Sequence, residues 1–484
     1  MAMTTTTTLG SFPARMNATD ALFWLLDTVP DLRSTVGGLI VLDGEPEPGR
    51  LRDDFARLAA GYPRLRQRVV DAPFNLTLPE WVEDDQFDLD YHVRTIAVPA
   101  PGSMADLLES LGPLFATPLD RSRPLWEAYD AGRLVDGRTA VFMKVHHCLM
   151  DGVGGTRVIT GLLGERCEAV PGERLPPEAP PSLAMAARLG RALVHEAGEL
   201  AAAGGAGLRA LRDAVVHPIA ATGEVASDVR RLLGLAADLS VPRAESPLHH
   251  TRSLSRRLAT FDMYLSEIDA VRARLGATNN DVILTVVSGA LHRWHTSRGA
   301  DVKELRALVP VNLRETTEDA VGNRVALLAI GLPVGEPNPL TRLRGIQERM
   351  GRVKRDRRAT LYPLAIRLLL ALPLPVAAQV GRQQMRRTNL VCTNVPGPRH
   401  TCYLGGRAIE RLYAFAPMVG DHPVAIALYS YRDMVHMGLD VDPLAMEDLP
   451  HFLDALTESY LEVMSLGRDG TCLQPPAAPR GGQS

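Results

Sequence analysis

Met143-Lys-Val-His-His-Cys-Leu-Met-Asp-Gly-Val-Gly-Gly155 places two adjacent histidines, His146 and His147, just ahead of Asp151-Gly152, with three residues between. Upstream, Thr139, Val141, Met143 and Val145 alternate with Ala140, Phe142 and Lys144. This two-residue period predicts a strand that ends at the histidines. Neighbouring side chains leave a strand on opposite faces, so only one of the two imidazoles can enter a reaction channel. The other packs or orients. Beyond Gly152, the spacing of Val153, Val158, Ile159, Leu162 and Leu163 predicts an amphipathic helix.

An HHxxxDG run at a strand end marks enzymes in which one imidazole deprotonates an acceptor that then attacks an acyl thioester. A hydroxyl is a poor nucleophile until its proton is leaving, and histidine, with an ordinary pKa near ~6.5, suits that task. Two other readings compete. A buried His-His pair can be ordinary core, and His with Asp can ligate zinc. The metal reading is weakened because adjacent strand histidines diverge and no Cys or third His stands at ligand spacing, so no metal is expected. Without a GxSxG elbow there is no sign of a covalent acyl-enzyme. Strand alternation points Cys148 away from the His147 imidazole.

The 484 residues leave room for two or three domains. With 46% hydrophobic and 23% charged residues, the composition is that of a soluble globular protein. A net charge of -3, with no basic stripe, argues against a nucleic-acid partner. Five cysteines (148, 167, 392, 402 and 472) form neither an even disulfide ladder nor a CxxC pair, which suits a reducing cytosol. The Thr-rich start lacks a signal-peptide pattern, so the chain is expected to be cytoplasmic and not secreted.

Composition divides the chain into a tail (1–16), a first lobe (17–170), a Pro-rich and then helical linker (171–250), a second lobe (251–466) and a Gly/Pro-rich tail (467–484). Gly38 to Leu42 reads as a strand, and Leu51 to Ala60 and Val282 to Trp294 read as helices. The greasiest stretch, Leu361 to Val380, carries Arg367 and three prolines, which makes it a poor membrane span. Edged by Arg382, Arg386 and Arg387, it could rest on a bilayer surface or form a core helix.

Further segments accompany the histidines: Phe87-Asp-Leu-Asp-Tyr-His92, Pro118 to Trp126 with its Arg123-Pro-Leu-Trp126 end, Thr278-Asn-Asn-Asp281, Pro310-Val-Asn-Leu-Arg314 with Gly322-Asn323, and Asn394-Val-Pro-Gly-Pro398. In this order they resemble the bacterial wax ester synthase/acyl-CoA:diacylglycerol acyltransferase family, from about Asn17 to Leu466. HHxxxDG alone is shared with chloramphenicol acetyltransferase and peptide-synthetase condensation domains; the PLW, ND and NVPGP segments narrow the match.

The resemblance implies an α/β fold of two coenzyme-A-dependent acyltransferase-like lobes, mixed sheets flanked by helices, with a channel between them. It implies no cofactor, with acyl-CoA as co-substrate and diacylglycerol or a long-chain alcohol as acceptor. His147 takes the role of base, with His146 and Asp151 beside it and Gly152 completing the motif. Arg66 falls where condensation domains carry an arginine able to pair with the motif aspartate, although Arg64 and Arg68 compete for that place. Asn280 is the candidate oxyanion donor, and Asp281 is either a substrate contact or a helix cap. Apolar substrates make peripheral contact with a membrane or lipid droplet a natural expectation.

Three departures from the family pattern (Asn312, Asn279, and Asp27 where glutamate is common) are expected to touch acceptor or acyl preference. Two alternatives stay open: an acyltransferase or condensation enzyme using another thioester donor or a polar acceptor, and a non-catalytic lipid-binding protein of the same fold.

Overall fold

The structure is a computed structural model that describes residues 13–71, 77–149, 163–164, 245–249, 251–312, 325–355, 366, 369–370 and 372–468. Strand β1 (Thr35–Leu42) is the middle of the first sheet; a small two-stranded ribbon, β2 (Gln67–Val70) with β3 (Glu80–Glu83), lies beside it. The sheet continues through β4 (Val93–Thr95), β5 (Trp126–Arg133) and β6 (Thr139–His146). The second sheet contains β7 (Arg257–Tyr264), β8 (Leu305–Asn312), β9 (Val325–Leu332) and β10 (Leu390–Pro396). The pair β11 (Tyr403–Leu404) and β12 (Arg407–Phe415) crosses to the first sheet, and β13 (Val424–Tyr431) and β14 (Met434–Val441) return to the second. The two six-stranded orders are β11-β12-β1-β6-β5-β4 and β7-β14-β13-β10-β8-β9.

The crossing matters for the division into lobes. Strand β12, grouped by composition with the second lobe, pairs antiparallel with β1 through Phe415 opposite Gly37 and Ile409 opposite Leu42. A strand exchanged in this way ties the lobes by backbone hydrogen bonds, which composition does not reveal. The second sheet is mixed: β10 runs parallel to both β8 and β13, and the remaining neighbours are antiparallel. Its outer face is covered by the helices Leu265–Leu275, Asn279–Thr296, Pro339–Arg355 and Leu449–Ser465.

Strand β6 explains why its sequence alternates yet contains so little polar character. Every residue of it is buried. Val141, Met143 and Val145 pack with Phe55, Leu58 and Trp126, whereas Ala140 and Phe142 pack with Phe115 and Phe415 on the opposite side. Lys144 is fully buried and reaches Glu127 at 3.3 Å. The helices Arg50–Gly61 and Met104–Ala116 therefore pack on its two sides.

The inner face of the second sheet approaches the first closely. A Cβ on Gly438 would lie 2.0 Å from the Ala414 carbonyl oxygen, so no side chain fits there. The helix Leu374–Met385 docks on the first lobe. Its Gly381 faces Leu26 and Leu32, and Arg382 forms a two-pronged pair with Asp31 at 2.7 and 2.8 Å. Arg386 pairs with Asp421 at 3.0 Å. Two of the three arginines that edge the apolar segment are thus committed to carboxylates, while Leu372, Val376 and Val380 form an exposed stripe at four-residue spacing. No helix of the described residues is long and apolar enough to cross a membrane.

Candidate active site

The helix Ala18–Leu26 starts at Asn17, whose side chain accepts the Asp20 N–H at 2.9 Å. Its last turn brings Phe23, Trp24 and Asp27 to the end of β6. There the Asp27 carboxylate meets His146 Nε2 at 3.1 Å, with Arg121 on the other oxygen at 3.6 Å. The Arg121 guanidinium lies over the Trp24 ring, 3.3 Å from its centre. Burial pushes the Asp27 carboxyl up, but the His146 hydrogen bond and charge and the Arg121 cation outweigh it and hold the group below its ordinary value.

His146 has both ring nitrogens engaged. Its Nδ1 accepts the Cys148 N–H at 3.1 Å, so the proton of the neutral ring resides on Nε2, the nitrogen 3.1 Å from Asp27 Oδ1. A ring held in this way has no lone pair left for a metal. His147 opens the short 3₁₀ turn His147–Leu149, with its backbone N–H donated to Ser34 O at 2.8 Å. The His147 ring packs on Phe23, centroids 4.4 Å apart, and its Nδ1 is buried without a hydrogen-bond partner among the described residues. Burial, reinforced by His146, pushes His147 down to about 4. It is therefore a neutral imidazole at physiological pH, able to accept a proton. Burial, with Asp20 and Asp27 nearby, lifts the Cys148 thiol well above its usual value, so it is no thiolate nucleophile.

Asp151 and Gly152 lie outside the described residues, as does the helix expected after them. Arg66 donates its Nε–H to Ala59 O at 3.0 Å and stands 4.0 Å from Glu83. Arg64 is the more buried of the two and lies over Trp81 at 4.5 Å. It also acts electrostatically on Cys148, at the start of the motif loop.

On the second lobe, Asp281 forms a capping box with Thr278. Its carboxylate accepts the Thr278 N–H at 2.8 Å, and the Thr278 hydroxyl accepts the Asp281 N–H at 3.3 Å. The capping role of Asp281 is thereby accounted for. Asn280, its neighbour, accepts a 2.7 Å hydrogen bond from the Asn394 side-chain amide. This joins the ND and NVPGP segments across 114 residues. The two amides border a small, mostly apolar crevice whose other walls are Ile283, Leu284, Val309, Cys392 and Leu428. With its oxygen occupied, Asn280 retains its N–H groups as donors. The NVPGP turn presses on β13: a Cβ on Gly397 would meet Ser430 O and the Tyr429 ring at 2.3 Å.

The segments ending at His92 and Trp126 pack together in the core of the first lobe. Trp126 stacks on His92 at 4.6 Å and Phe55 at 6.0 Å, donates its indole N–H to Leu65 O at 2.8 Å, and receives His92 Nδ1 on its carbonyl at 2.7 Å. Sequence reasoning placed Asp27 with acceptor preference; the structure places it on His146. Asn394 was read only as part of a rigid turn, and Phe23, Ser34 and Arg121 carried no signal in spacing.

Comparison with known proteins matches residues 16–283 to a wax ester synthase/diacylglycerol acyltransferase catalytic domain and residues 321–464 to the corresponding C-terminal domain. A probable diacylglycerol O-acyltransferase, tgs1, from Mycobacterium tuberculosis strain CDC 1551 is 30% identical over 441 residues, 90% of this chain and 92% of that protein. The solved wax ester synthase/diacylglycerol acyltransferase from Marinobacter aquaeolei VT8 is 26% identical, with a TM-score of 0.64 over 94% of this chain and 99% of its own. The first condensation domain of the calcium-dependent antibiotic synthetase shares the fold, at 16% identity and a TM-score of 0.58 over 94% of this chain and 97% of that one.

Proposed function

This chain belongs to the wax ester synthase/diacylglycerol acyltransferase family, and we propose that it transfers a fatty acyl group from acyl-CoA to the hydroxyl of diacylglycerol or a long-chain alcohol. The observation that carries the reading is the state of the histidine pair: His146 is held between the Cys148 N–H and the Asp27 carboxylate, while His147 is kept neutral.

In this mechanism the acceptor hydroxyl approaches His147, which takes its proton as the oxygen attacks the thioester carbonyl. The tetrahedral oxyanion is met by a preorganised donor, for which Asn280 is suited because Asn394 fixes its amide plane. Collapse breaks the carbon–sulfur bond, and the imidazolium of His147 returns the proton to the departing coenzyme A sulfur. Asp151 is assigned to holding the motif loop through an arginine, Arg66 or one of its neighbours Arg64 and Arg68.

Apolar acceptor and product would be exchanged at a membrane or droplet surface, with the stripe Leu372, Val376 and Val380 as the contact. The deciding experiment offers labelled acyl-CoA to the purified protein with diacylglycerol and hexadecanol together, and resolves products by thin-layer chromatography. Labelled triacylglycerol or wax ester is expected. Label transferred to neither, with a polar acceptor or a carrier-protein thioester serving instead, would replace this reading by the condensation-type one.

A further inference from the structure

Asp27 lies at the end of the helix Ala18–Leu26, where the partial negative charge of the helix C-terminus opposes a carboxylate. It is also buried, which adds a desolvation cost. A residue placed against both local preferences needs compensation from elsewhere, and the fold supplies it from β6 and from Arg121.

Two routes run from this carboxylate to the turn that carries His147. In the first, His146 Nε2 stands 3.1 Å from Asp27 Oδ1 as a buried ion-pair contact, and His146 Nδ1 accepts the Cys148 N–H at 3.1 Å. In the second, the Ser34 N–H reaches Asp27 Oδ1 at 3.4 Å, and the Ser34 carbonyl accepts the His147 N–H at 2.8 Å. The amides on either side of the His147 peptide are therefore both held by groups that Asp27 orients. With the turn fixed, the His147 ring rests against Phe23 from the same helix.

We propose that Asp27 is a positioning residue for acyl transfer: through His146 and Ser34 it fixes the backbone of the 147–148 turn and so aims the His147 imidazole. This inference rests on the proposed role of His147. It assigns Asp27 a task different from acceptor choice, and gives His146 an orienting role beyond packing.

The test measures kcat and KM for acyl-CoA and for both acceptors in Asp27→Ala, Asp27→Asn, Asp27→Glu, His146→Ala and the double variant Asp27→Ala/His146→Ala. Misplacing a catalytic group by about 1 Å can cost on the order of 100-fold. Asp27→Ala should therefore lower kcat by roughly 10- to 100-fold, equally for both acceptors, with KM values unchanged. Asp27→Asn, which keeps an acceptor oxygen for His146, should lose less, and Asp27→Glu should recover part of the rate. The double variant should be little worse than His146→Ala alone, because the main route passes through that ring.

Three results would overturn the proposal: normal kcat in Asp27→Ala, a changed preference between acceptors with kcat intact, or independent multiplication of the two single losses. Should Asp27→Ala fail to fold, the same cycle is run with Asp27→Asn, where an unchanged kcat is equally fatal. Full activity in folded His147→Ala would instead remove the underlying assignment of the base, so the two failures are distinguishable.

Discussion

The histidine pair at the end of β6 and the Asn280-Asp281 pair at the start of the helix Asn279–Thr296 stand on different lobes and use different anchors. Each pair has one tightly bound member beside a partner with hydrogen-bonding capacity to spare. Asp281 is bound locally, to Thr278 three residues away. His146 is bound to a carboxylate from the N-terminal helix. A local anchor makes Asp281 itself robust to changes elsewhere, whereas the distant one at His146 makes catalysis dependent on how the N-terminal helix packs. Failure at the first site should therefore appear mainly as lost stability when the anchor goes, and at the second as lost rate.

The largest expected effect falls on the freer histidine. His147→Ala should reduce acyl transfer by roughly 10²- to 10⁴-fold, the range of positioned base catalysis, with an unchanged melting temperature. A steady-state assay alongside thermal melting checks both. A folded variant of undiminished rate would break the comparison at its first term.

The second lobe should divide its losses between neighbours. Asn280→Ala should cost about 10²- to 10³-fold in kcat if its amide meets the oxyanion. Asp281→Ala should instead cost about 1 kcal/mol of stability, the usual worth of a helix cap, and leave kcat near normal. Denaturant melts and kinetics on both variants separate the roles. The reverse pattern would make Asp281 the substrate contact.

The difference in anchors also explains what the sequence disclosed. The strand before His146 and the apolar helix after Thr278 follow from periodicity and capping residues, which are local, whereas the two-lobed α/β fold follows from the family resemblance of the ordered motifs. Asp27 and Asn394 were not recognisable as partners of His146 and Asn280, because only tertiary packing brings them there. The exchange of β12 into the first sheet escaped for the same reason: Arg407–Phe415 has an ordinary strand pattern, and nothing within it names its neighbour. Arg382 likewise edges an apolar stretch in the sequence, and its partner Asp31 lies 351 residues away.

The histidine pair should also give itself away in pH dependence. His147 acts as a base when neutral, so kcat should persist as pH falls through the ordinary histidine range and decline only near its folded value of about 4. Stability should respond with a related sign. Below the unfolded value near ~6.5, the unfolded chain takes up a proton that folded His147 refuses. Stability contributed by this group is complete above that value and is lost as pH falls toward about 4. A rate profile bending near the ordinary histidine value in a still-folded protein would mean that the ring is better solvated than its packing on Phe23 implies.

The smallest effect is expected at the helix Leu374–Met385, which meets the first lobe with one face and solvent with the other. Its buried side, Ala377, Ala378 and Gly381, contacts the first lobe, and Arg382 locks it to Asp31. Reversing Arg382 would therefore disturb the lobe contact and confuse any membrane readout. Val376 and Val380 face outward and carry no such duty. Asp substitutions at both should weaken flotation with vesicles by removing apolar surface, on the order of 1 kcal/mol or more per side chain if each enters the interface. Turnover on short, soluble acyl-CoA and alcohol should stay within about twofold, since exposed positions away from such features rarely shift stability by more than ~0.5 kcal/mol. Unchanged flotation would confine this helix to holding the lobes together, and leave the entry of apolar substrates to another surface.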